Sequence, residues 1–559
     1  MMRLSLLCVN NLVNLSLAAG FTALIFFAVS IPANAQVPTP GSVLQSVDRP
    51  VVQPTQALEQ PVTREQKEPF TPPTYAKKIE VNQFELTGNV EFDDETLLAE
   101  IVDYIDTPIT LAQIYAAADR LQQFYRTRGY LLASVYVPAQ KISSGTVKLE
   151  IIEGRLGGFQ FEGELKSYRP GFLVKQLDSL ELGEIVRSQK LEHEMLLLNE
   201  LPGLSARAVI VPGTDYGTSD IVIETAENRS QAVVRLNNYG RKSLGQAQIE
   251  AGWLYANPLF QGDELNLSAI VSEEARMVFG RLDYSALLNT SGTRIEFGIS
   301  TFEYDVDTQE LGLPGLILEG DGTNIRLHLS HPLVRQQRNR LTVSGGFRNI
   351  ETNETGGLLS ALRSNDISVF DVWLDWQPTH RGGSTSGLVF TVSSIFRNKT
   401  DGLNDEKNQL KAIIDYRYTN FFTQTWFFLI HANLAYASDP LPDAERYRLG
   451  GPFNVRAYPS AEVAGDEGGL FSLDVGKTFR VFRSTDMIAK IFADSGKVKR
   501  LIPVAGEFKD ETLSGYGVGL SANVRGRHII EFEVVKPTSD RISSDGEDPR
   551  FWFNYTLNF

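Results

Sequence analysis

The feature that most constrains this chain is a strict alternation of apolar and polar residues, which begins near residue 231 and continues to Phe559. In the last segment the two alternating sets are Phe551, Phe553, Tyr555, Leu557 and Phe559, and Arg550, Trp552, Asn554, Thr556 and Asn558. Successive side chains of a strand point to opposite faces, so this period predicts strands with one apolar face. Segments of about ten residues with aromatic ends are typical of a transmembrane β-barrel.

The N-terminus predicts export from the cytoplasm. Arg3 precedes an apolar stretch over residues 12–31, and Ala33-Asn34-Ala35 places small residues where a signal peptidase cleaves. We therefore interpret residues 1–35 as a cleaved signal peptide. An uncleaved membrane anchor is the alternative, because the stretch approaches the length that spans a bilayer.

A soluble β-sandwich or barrel is the alternative to a membrane barrel, since its strands also alternate. The predicted signal peptide, the extent of the pattern over residues 231–559 and the aromatic last strand favour the membrane barrel. Beyond the signal peptide, the sequence has no long apolar helical stretch, so a chain that resides in the membrane must do so as a closed barrel.

Composition and short motifs limit the kinds of binding and catalytic site that the chain can contain. A net charge of −15 argues against nucleic-acid binding. The only cysteine, Cys8, falls in the predicted signal peptide, so the mature chain lacks a thiol for a disulfide, a redox centre or a cysteine metal site. His193-Glu194 begins a zinc-protease pattern, but Leu197 stands where the second histidine is needed. We predict no catalytic residues, no metal and no cofactor.

Two small modules precede the barrel. Residues 36–77 form a Pro-rich linker, in which residues 41–47 have the pattern of a short helix. Residues 78–157 and 158–228 each predict the order β-α-α-β-β, and residues 229–559 form the barrel. Free edges of the module sheets are suited to pairing with a strand of another protein. Inert spacer domains are the alternative.

The segment Leu449–Tyr458 interrupts the alternation with Gly450, Gly451 and Pro452 and then presents Arg456 between apolar neighbours. A guanidinium inside a barrel requires an acidic partner, and Asp494, which alternates with Phe492, is the best candidate. A surface turn with a solvated arginine is the alternative for the first segment, and an Asp-Ser-Gly turn for the second. The alternating glycines Gly515, Gly517 and Gly519 leave room inside the barrel for a bulky element.

Residues 449–458 together with Phe492-x-Asp494-x-Gly496 resemble the paired signature of the two-partner secretion transporters, the TpsB-type haemolysin secretion/activation family ShlB/FhaC/HecB. Residues 128–154 resemble the first periplasmic POTRA domain of that family, and residues 201–220 resemble the second. Residues 238–240 and 257–259 resemble its opening barrel strands. The resemblance covers nearly all of the predicted mature chain.

The resemblance implies two POTRA domains, a barrel of about 16 antiparallel strands and a loop that folds into the barrel, where Arg456 pairs with Asp494. The flanking motif positions it implies are Gly450, Gly451, Pro452, Val455, Tyr458, Phe492 and Gly496, and the C-terminal barrel signal is Phe559. Ala457 departs from the glycine that is usual in the superfamily, and this puts a positive φ at that position in doubt. The resemblance further suggests residues 41–47 as a helix that plugs the pore.

The implied function is an outer-membrane pore that exports one large partner protein from the periplasm to the cell surface. An unfolded client is expected to bind the POTRA domains in the periplasm, and the other expected partners are outer-membrane lipid and the barrel-assembly machinery. An insertase for other barrels is the alternative within the superfamily. A passive porin or a hydrolytic outer-membrane enzyme is the alternative from another class.

Overall fold

The computed structural model describes residues 37–49, 62–64, 78–142, 144–356, 361–380, 383–400, 408–482, 484–504 and 507–559. The predicted signal peptide lies outside these residues. At the N-terminal end of the described chain are a helix and a short strand, α1 (Pro40–Val47) and β1 (Val62–Arg64). Helix α1 begins with a capping box, in which the side chains of Thr39 and Ser42 each accept a hydrogen bond from the other residue's backbone N–H.

The first module contains β2 (Ile79–Val81), β3 (Gln83–Thr87), α2 (Asp94–Glu100), β4 (Thr107–Ile109), α3 (Leu111–Thr127), β5 (Ser134–Tyr136) and β6 (Thr146–Ile152). Its main sheet has the order β3-β6-β5, with β3 and β6 parallel. The apolar residues from Leu97 to Ile105 have helical spacing in the sequence and predict one helix over residues 95–105. In the structure, α2 ends at Glu100 and a separate 3-10 turn follows at Val102–Tyr104.

The second module contains β7 (Arg155–Glu162), α4 (Pro170–Lys175), α5 (Ser188–Asn199), β8 (Leu204–Pro212) and β9 (Thr218–Glu227). Its sheet has the order β1-β8-β9-β7. Two sequence expectations are corrected here. The predicted boundary between the modules, at 157/158, falls inside β7, which pairs with β9 and therefore belongs wholly to the second module. The segment 36–77 is more than a linker, because β1 joins the second module's sheet.

Sixteen antiparallel strands form a closed barrel, in which β10 pairs with both β11 and β27. The barrel strands are β10 (Ser230–Asn237), β11 (Gln248–Ala256), β12 (Glu264–Ser272), β13 (Met277–Leu287), β14 (Arg294–Asp305), β15 (Leu318–Gln336), β16 (Asn339–Gly356), β17 (Ala361–Pro378), β18 (Thr385–Thr400), β19 (Gln409–Phe421), β20 (Trp426–Ala437), β23 (Glu467–Phe482), β24 (Thr485–Lys499), β25 (Asp510–Val524), β26 (His528–Pro537) and β27 (Arg550–Asn558); β21 (Tyr447–Leu449) and β22 (Val463–Gly465) pair with each other apart from the barrel sheet. The predicted alternation determines which side chains of a strand face outward and which face the barrel interior. On β11, Ile249 and Trp253 are exposed, whereas Gln248 and Glu250 are buried.

The connections between barrel strands fall into two groups. Because β10 follows the second module directly, the turn at 257–263 and every second connection after it lie on the side of the modules. The segment 438–466, which contains β21 and β22, starts from the opposite side. Helices in the described part of the chain are all too short or too polar to span a bilayer.

Candidate functional site: the loop and the helix inside the barrel

The segment 449–466 folds back on itself because its glycines adopt backbone conformations that other residues avoid. Gly450 and Gly451 have φ values of +103° and +117°. A Cβ on Gly450 would lie 2.3 Å from the carbonyl oxygen of Pro459. The N–H of Gly451 donates to the carbonyl of Tyr458 at 2.9 Å, which closes the tip of the loop. Arg456 lies on this tip.

Arg456 is 6 % exposed and its guanidinium binds Asp494 as a fork. Its Nε donates to Oδ2 of Asp494 at 2.9 Å, and its Nη2 donates to Oδ1 at 2.8 Å. The backbone N–H of Arg456 donates to the same carboxylate at 3.1 Å. Asp494 lies within β24 and is 3 % exposed, so it is not part of an Asp-Ser-Gly turn. The structure thus brings together the two residues that the sequence paired.

A second acid, which the sequence reasoning missed, completes the site. Nη1 and Nη2 of Arg456 donate to Asp474 on β23, at 3.1 and 2.7 Å. Ser472 accepts from Nη2 at 3.2 Å and donates to Asp494 at 2.6 Å. Both residues lie on the inward face of β23, opposite Phe492 and Asp494. In the sequence, the sign of this site was that Ser472 and Asp474 are two residues apart in an alternating strand and so share a face. Only the strand register places them beside Arg456.

Further charged residues lie next to Arg456 and its two acids, on the side away from the loop. Nζ of Lys490 lies 3.1 Å from Asp474 and 2.7 Å from Glu533. The five residues Arg456, Lys490, Asp474, Asp494 and Glu533 therefore combine two cations with three carboxylates. The guanidinium carbon of Arg456 lies 3.4 Å from the centre of the Phe492 ring, where a cation is attracted by the π-face. Charge-assisted bonds with such geometry are among the stronger ones that proteins make.

The loop tip packs against a barrel wall that glycines make thin. Ala457 is fully buried and is not among the residues with positive φ, so its departure from the superfamily glycine creates no backbone strain here. A Cβ built on Gly515 would lie 2.4 Å from the Cβ of Ala457. A Cβ on Gly517 would lie 2.6 Å from the ring of Phe492. Glycine at these two positions therefore makes room for the loop and for the ring that supports Arg456.

The other motif residues surround the same tip. Val455 and Tyr458 are fully buried, and the Tyr458 hydroxyl lies 2.6 Å from the Ser539 hydroxyl. Trp552 donates from Nε1 to the carbonyl of Arg456 at 2.7 Å. Pro452 belongs to the turn that bears the glycines. Two further predicted positions are Gly496, whose Cβ would lie 2.8 Å from the Leu449 side chain, and Phe559, which is 60 % exposed directly after β27.

Helix α1 lies inside the barrel, beside the loop. Its buried residues Val43, Leu44 and Val47 pack in one apolar cluster with inward-facing barrel residues, which include Phe279 and Phe302. Its polar side faces the segment 438–466. The N–H of Gly41 donates to Oδ2 of Asp443 at 3.0 Å, and Nε2 of Gln45 donates to the carbonyl of Ala444 at 2.7 Å.

Ion pairs hold the residues that follow α1. Asp48 accepts hydrogen bonds from Arg281 at 3.0 Å, from Arg326 at 2.9 Å and from Asn324 at 2.8 Å. The next residue, Arg49, donates to Glu250 at 2.9 Å. These pairs join α1 to strands β11, β13 and β15, whereas Arg456 binds strands β23 and β24.

A cavity of about 1100 Å3 lies at the barrel mouth on the side of the modules. Its lining mixes acidic and basic residues such as Glu264, Arg294 and Arg340. The second module contacts the barrel mouth near the end of helix α5. Glu200, the residue after this helix, accepts a hydrogen bond from Nε of Arg335 at 2.9 Å. Within the described chain, no group of three or more His, Cys, Asp or Glu residues is arranged to hold a metal ion.

Comparison with known proteins identifies the family of this chain. Residues 217–522 match the family model described as haemolysin secretion/activation protein ShlB/FhaC/HecB, and residues 79–154 match that of the ShlB-type POTRA domain. The chain belongs to this family. It is an outer-membrane β-barrel transporter of the two-partner secretion type, which exports a partner protein from the periplasm to the cell surface, and its modules lie in the periplasm.

Individual relatives match over much of the chain. The heme/hemopexin transporter protein HuxB of Haemophilus influenzae strain 86-028NP is 24 % identical over 93 % of this chain and 95 % of its own. The outer membrane transporter CdiB of Escherichia coli O6:K15:H31 is 23 % identical over 69 % of this chain and 68 % of its own.

Solved structures share the fold. The structure of CdiB from Escherichia coli superposes with a TM-score of 0.67 at 19 % identity, and the alignment covers 94 % of this chain and all of that one. BamA from Haemophilus ducreyi, in a form that lacks POTRA domains 1–3, gives a TM-score of 0.53 at 13 % identity over 86 % of this chain and all of that one.

Proposed function

We propose that this transporter receives one specific partner protein unfolded at its two periplasmic modules and passes it through the barrel as an extended chain. Helix α1 is the resting occupant of that path and leaves it during export. The loop carrying Arg456 stays bound to the wall and defines one side of the channel. Folding of the partner outside the cell gives the transport its direction, so the transporter needs no nucleotide site.

The observation that carries this proposal is the presence of a whole helix inside the barrel. An α-helix with its side chains is about 10–12 Å wide, whereas neighbouring strands lie only about 4.7–4.9 Å apart. A lumen that accommodates α1 beside the 449–466 loop therefore has room for an extended polypeptide once α1 has left. A barrel filled entirely by wall side chains would have no such space.

The contacts of α1 are suited to reversible occupation. Its C-terminal end is joined to the wall through the side-chain pairs of Asp48 with Arg281 and of Arg49 with Glu250, and these pairs break without covalent change. The loop, in contrast, is continuous with β20 and β23 at both ends and binds through a guanidinium that two carboxylates enclose. This difference supports α1 as the element that moves and Arg456 as the residue that anchors the loop.

The second module is well placed to deliver the partner. Asp178 accepts from the hydroxyl of Thr290 at 3.0 Å, on one barrel turn, and Glu192 accepts from the N–H of Gln337 at 2.8 Å, on the next. A chain bound to this module lies next to the mixed-charge cavity at the barrel mouth. An extended partner with polar side chains can exchange water for hydrogen bonds there without crossing an apolar barrier.

The test is a clean deletion of the gene, followed by mass spectrometry of the culture medium and of the outer membrane. We expect one large secreted protein to disappear from the medium and to return on complementation, while the other outer-membrane barrels keep their abundance. Unchanged secretion would contradict the export of a specific partner. A general loss of outer-membrane barrels would instead indicate an insertase.

A further inference from the structure

The carboxylate of Asp48 lies in a pocket that three neighbouring barrel strands build. Two adjacent rows of inward-facing residues on β13, β14 and β15 form this pocket, because the strand register aligns them. The rows consist of Arg281, Ser300 and Asn324, and of Asp283, Gly298 and Arg326. These six residues are called the Asp48 pocket below. Since they share a strand face with the buried residues Phe279 and Phe302, the pocket opens into the barrel interior.

Both oxygens of Asp48 accept hydrogen bonds from the pocket. Its Oδ1 accepts from Nη1 of Arg281 and from Nη1 of Arg326, each at 3.0 Å. Its Oδ2 accepts from Nη1 of Arg326 at 2.9 Å and from Nδ2 of Asn324 at 2.8 Å. The pocket therefore offers four hydrogen bonds to a planar group with two oxygens and a negative charge, and a carboxylate is such a group.

The two arginines are also held in place by the wall. Nε of Arg281 donates to one oxygen of Asp283, and Nη2 of Arg326 donates to the other at 2.9 Å. A Cβ on Gly298 would lie 2.5 Å from Oδ1 of Asp283, so glycine at this position leaves space for that carboxylate. The guanidinium groups thus keep wall partners that do not depend on α1.

The charge of the pocket makes the loss of its carboxylate unfavourable. Without α1, Arg281 and Arg326 share the single carboxylate of Asp283, although their side chains are only 12 % and 6 % exposed. Glu296 acts on them at longer range, and Arg294 beside it carries the opposite charge. A buried cation that loses its counter-ion is strongly destabilised. The exit of α1 is therefore favoured when another carboxylate takes its place.

We propose that the Asp48 pocket binds a carboxylate side chain of the exported partner, which replaces Asp48 when α1 leaves the barrel. The proposal rests on the export function and on the exit of α1 proposed above, and it specifies a site inside the barrel that recognises the partner. Both guanidinium groups stay paired during this exchange. An Asp or Glu of the partner in the pocket also excludes Asp48, which delays the return of α1 while the partner passes.

Removal of the resident carboxylate tests whether the pocket accepts another one. In the purified full-length Asp48→Ala transporter, we expect acetate to raise the unfolding midpoint by about 2 °C or more relative to chloride at equal ionic strength, because a ligand of the folded state stabilises it. Heat-modifiable migration on gels measures the midpoint. The parent, whose pocket contains Asp48, should show no acetate-specific rise. Equal midpoints of Asp48→Ala in acetate and chloride would overturn the proposal.

Further substitutions in the Asp48→Ala background assign the effect to the pocket. Arg326→Gln should abolish the rise with acetate. Arg363→Gln should keep it, since Arg363 lies on the inward face of β17 outside the pocket. Asn324→Ala removes one donor without a change of charge and should weaken the rise, so it replaces Arg326→Gln if that variant does not assemble. Loss of the rise in Arg363→Gln as well would overturn the proposal, because the effect would then follow the total charge of the lumen.

Peptides distinguish a partner side chain from a free anion. The probes are two flexible Gly/Ser peptides of equal length, one with a single central Asp and the other with Asn. In planar bilayers that contain Asp48→Ala, we expect each current block by the Asp peptide to last about three- to tenfold longer, because the pocket bonds slow its dissociation. Arg326→Gln should remove this difference and Arg363→Gln should keep it. Equal block times would overturn the exchange with a partner side chain, even if acetate binds.

The partner itself provides the last measurement. The side chain of Val43 is buried against the barrel wall, and Cys8 is the only native cysteine, so Val43→Cys reports the exit of α1 by its rate of reaction with a thiol reagent. The unfolded secreted protein that disappears in the deletion strain should raise this rate about threefold or more. The same protein with its carboxylates converted to amides should not.

Equal acceleration by the native and the amidated partner would overturn the proposal. If the deletion strain loses no secreted protein, the export function fails instead. The acetate and peptide measurements do not depend on that result, because they use the purified transporter alone.

Discussion

Two elements occupy the interior of this barrel, and they are held by different physical means. The loop tip places one guanidinium between Asp474 and Asp494, both almost fully buried, and stacks it on Phe492. Helix α1 presents an apolar side to the wall. Of the ion pairs that follow it, the pair of Arg49 is open, since that side chain is 31 % exposed, whereas Asp48 and its partners Arg281 and Arg326 are buried. Buried, fully paired charges are costly to separate, while exposed pairs contribute little. The contrast between the enclosed guanidinium of the loop and the open pair of Arg49 supports the proposal that the loop is fixed and that α1 leaves the barrel.

The largest effect should follow the loss of the fixed element. Arg456→Ala leaves Asp474, Asp494 and Glu533 with Lys490 as their nearest cation, and breaking a buried pair in this way costs about 3–5 kcal/mol. We expect export to fall by more than about tenfold, with the barrel still assembled in the outer membrane. Secreted partner and heat-modifiable gel migration are the two measurements.

Two control variants sharpen this result. Arg456→Lys keeps the charge but loses the planar fork, so its export should be intermediate. Arg480→Ala breaks an exposed pair with Asp486 on the periplasmic side and should leave export unchanged. If Arg456→Ala secreted as much partner as Arg480→Ala, the anchoring role would be wrong.

The two acids around Arg456 should differ in importance. Asp494 binds the backbone N–H, Nε and Nη2 of Arg456, and Asp494→Asn should lower export several-fold. Asp474→Asn leaves Arg456 with Asp494 and Lys490 with Glu533, so the cluster keeps two cations and two carboxylates, and export should change by less than about threefold. A quantitative secretion assay of both variants checks the order. The reverse order would mean that Asp474 is the main anchor.

The packing of the loop tip predicts a smaller effect on export, which a second substitution in the loop should offset. Gly515→Ala places a methyl group 2.4 Å from Ala457, an overlap that costs about 1–3 kcal/mol, so export should fall partly. Gly280→Ala, on β13, meets no atom within 4 Å and is the matched control. Adding Ala457→Gly to Gly515→Ala should restore export in part, because the carbonyl oxygen of Lys536 still lies 2.9 Å from the new methyl group. Without rescue, the close approach of these two positions would not explain the defect.

The smallest effect on export should come from the removable element. Asp48→Asn weakens the bonds to Arg281 and Arg326 but leaves the apolar side of α1 in place. We expect export to persist and the resting conductance in planar bilayers to rise about two- to tenfold as α1 leaves the lumen more often. Ser46→Ala, whose hydroxyl bonds only within the helix, is the control. Equal conductance of the two variants would show that the ion pairs do not retain α1.

Local sequence patterns predicted most of the architecture. The period of two defined the barrel, because each strand must present an apolar face to lipid and a polar face to the interior. The change to helical spacing defined the modules, and the glycines before Arg456 marked a loop. The Arg456–Asp494 pair followed from a different argument, namely that a buried cation requires an acid.

Only the tertiary structure decided which distant residues meet. Asp474 and Ser472 join Arg456 because the register of β23 against β24 aligns them with Asp494, and register depends on the whole sheet. The parallel pairing of β1 with β8 likewise leaves no periodic trace in the sequence. The boundary at Arg155 has the same origin, since the pairing of β7 with β9 assigns it to the second sheet. Periodicity reports which face of its own strand a residue occupies, whereas its partners are set by how the strands assemble.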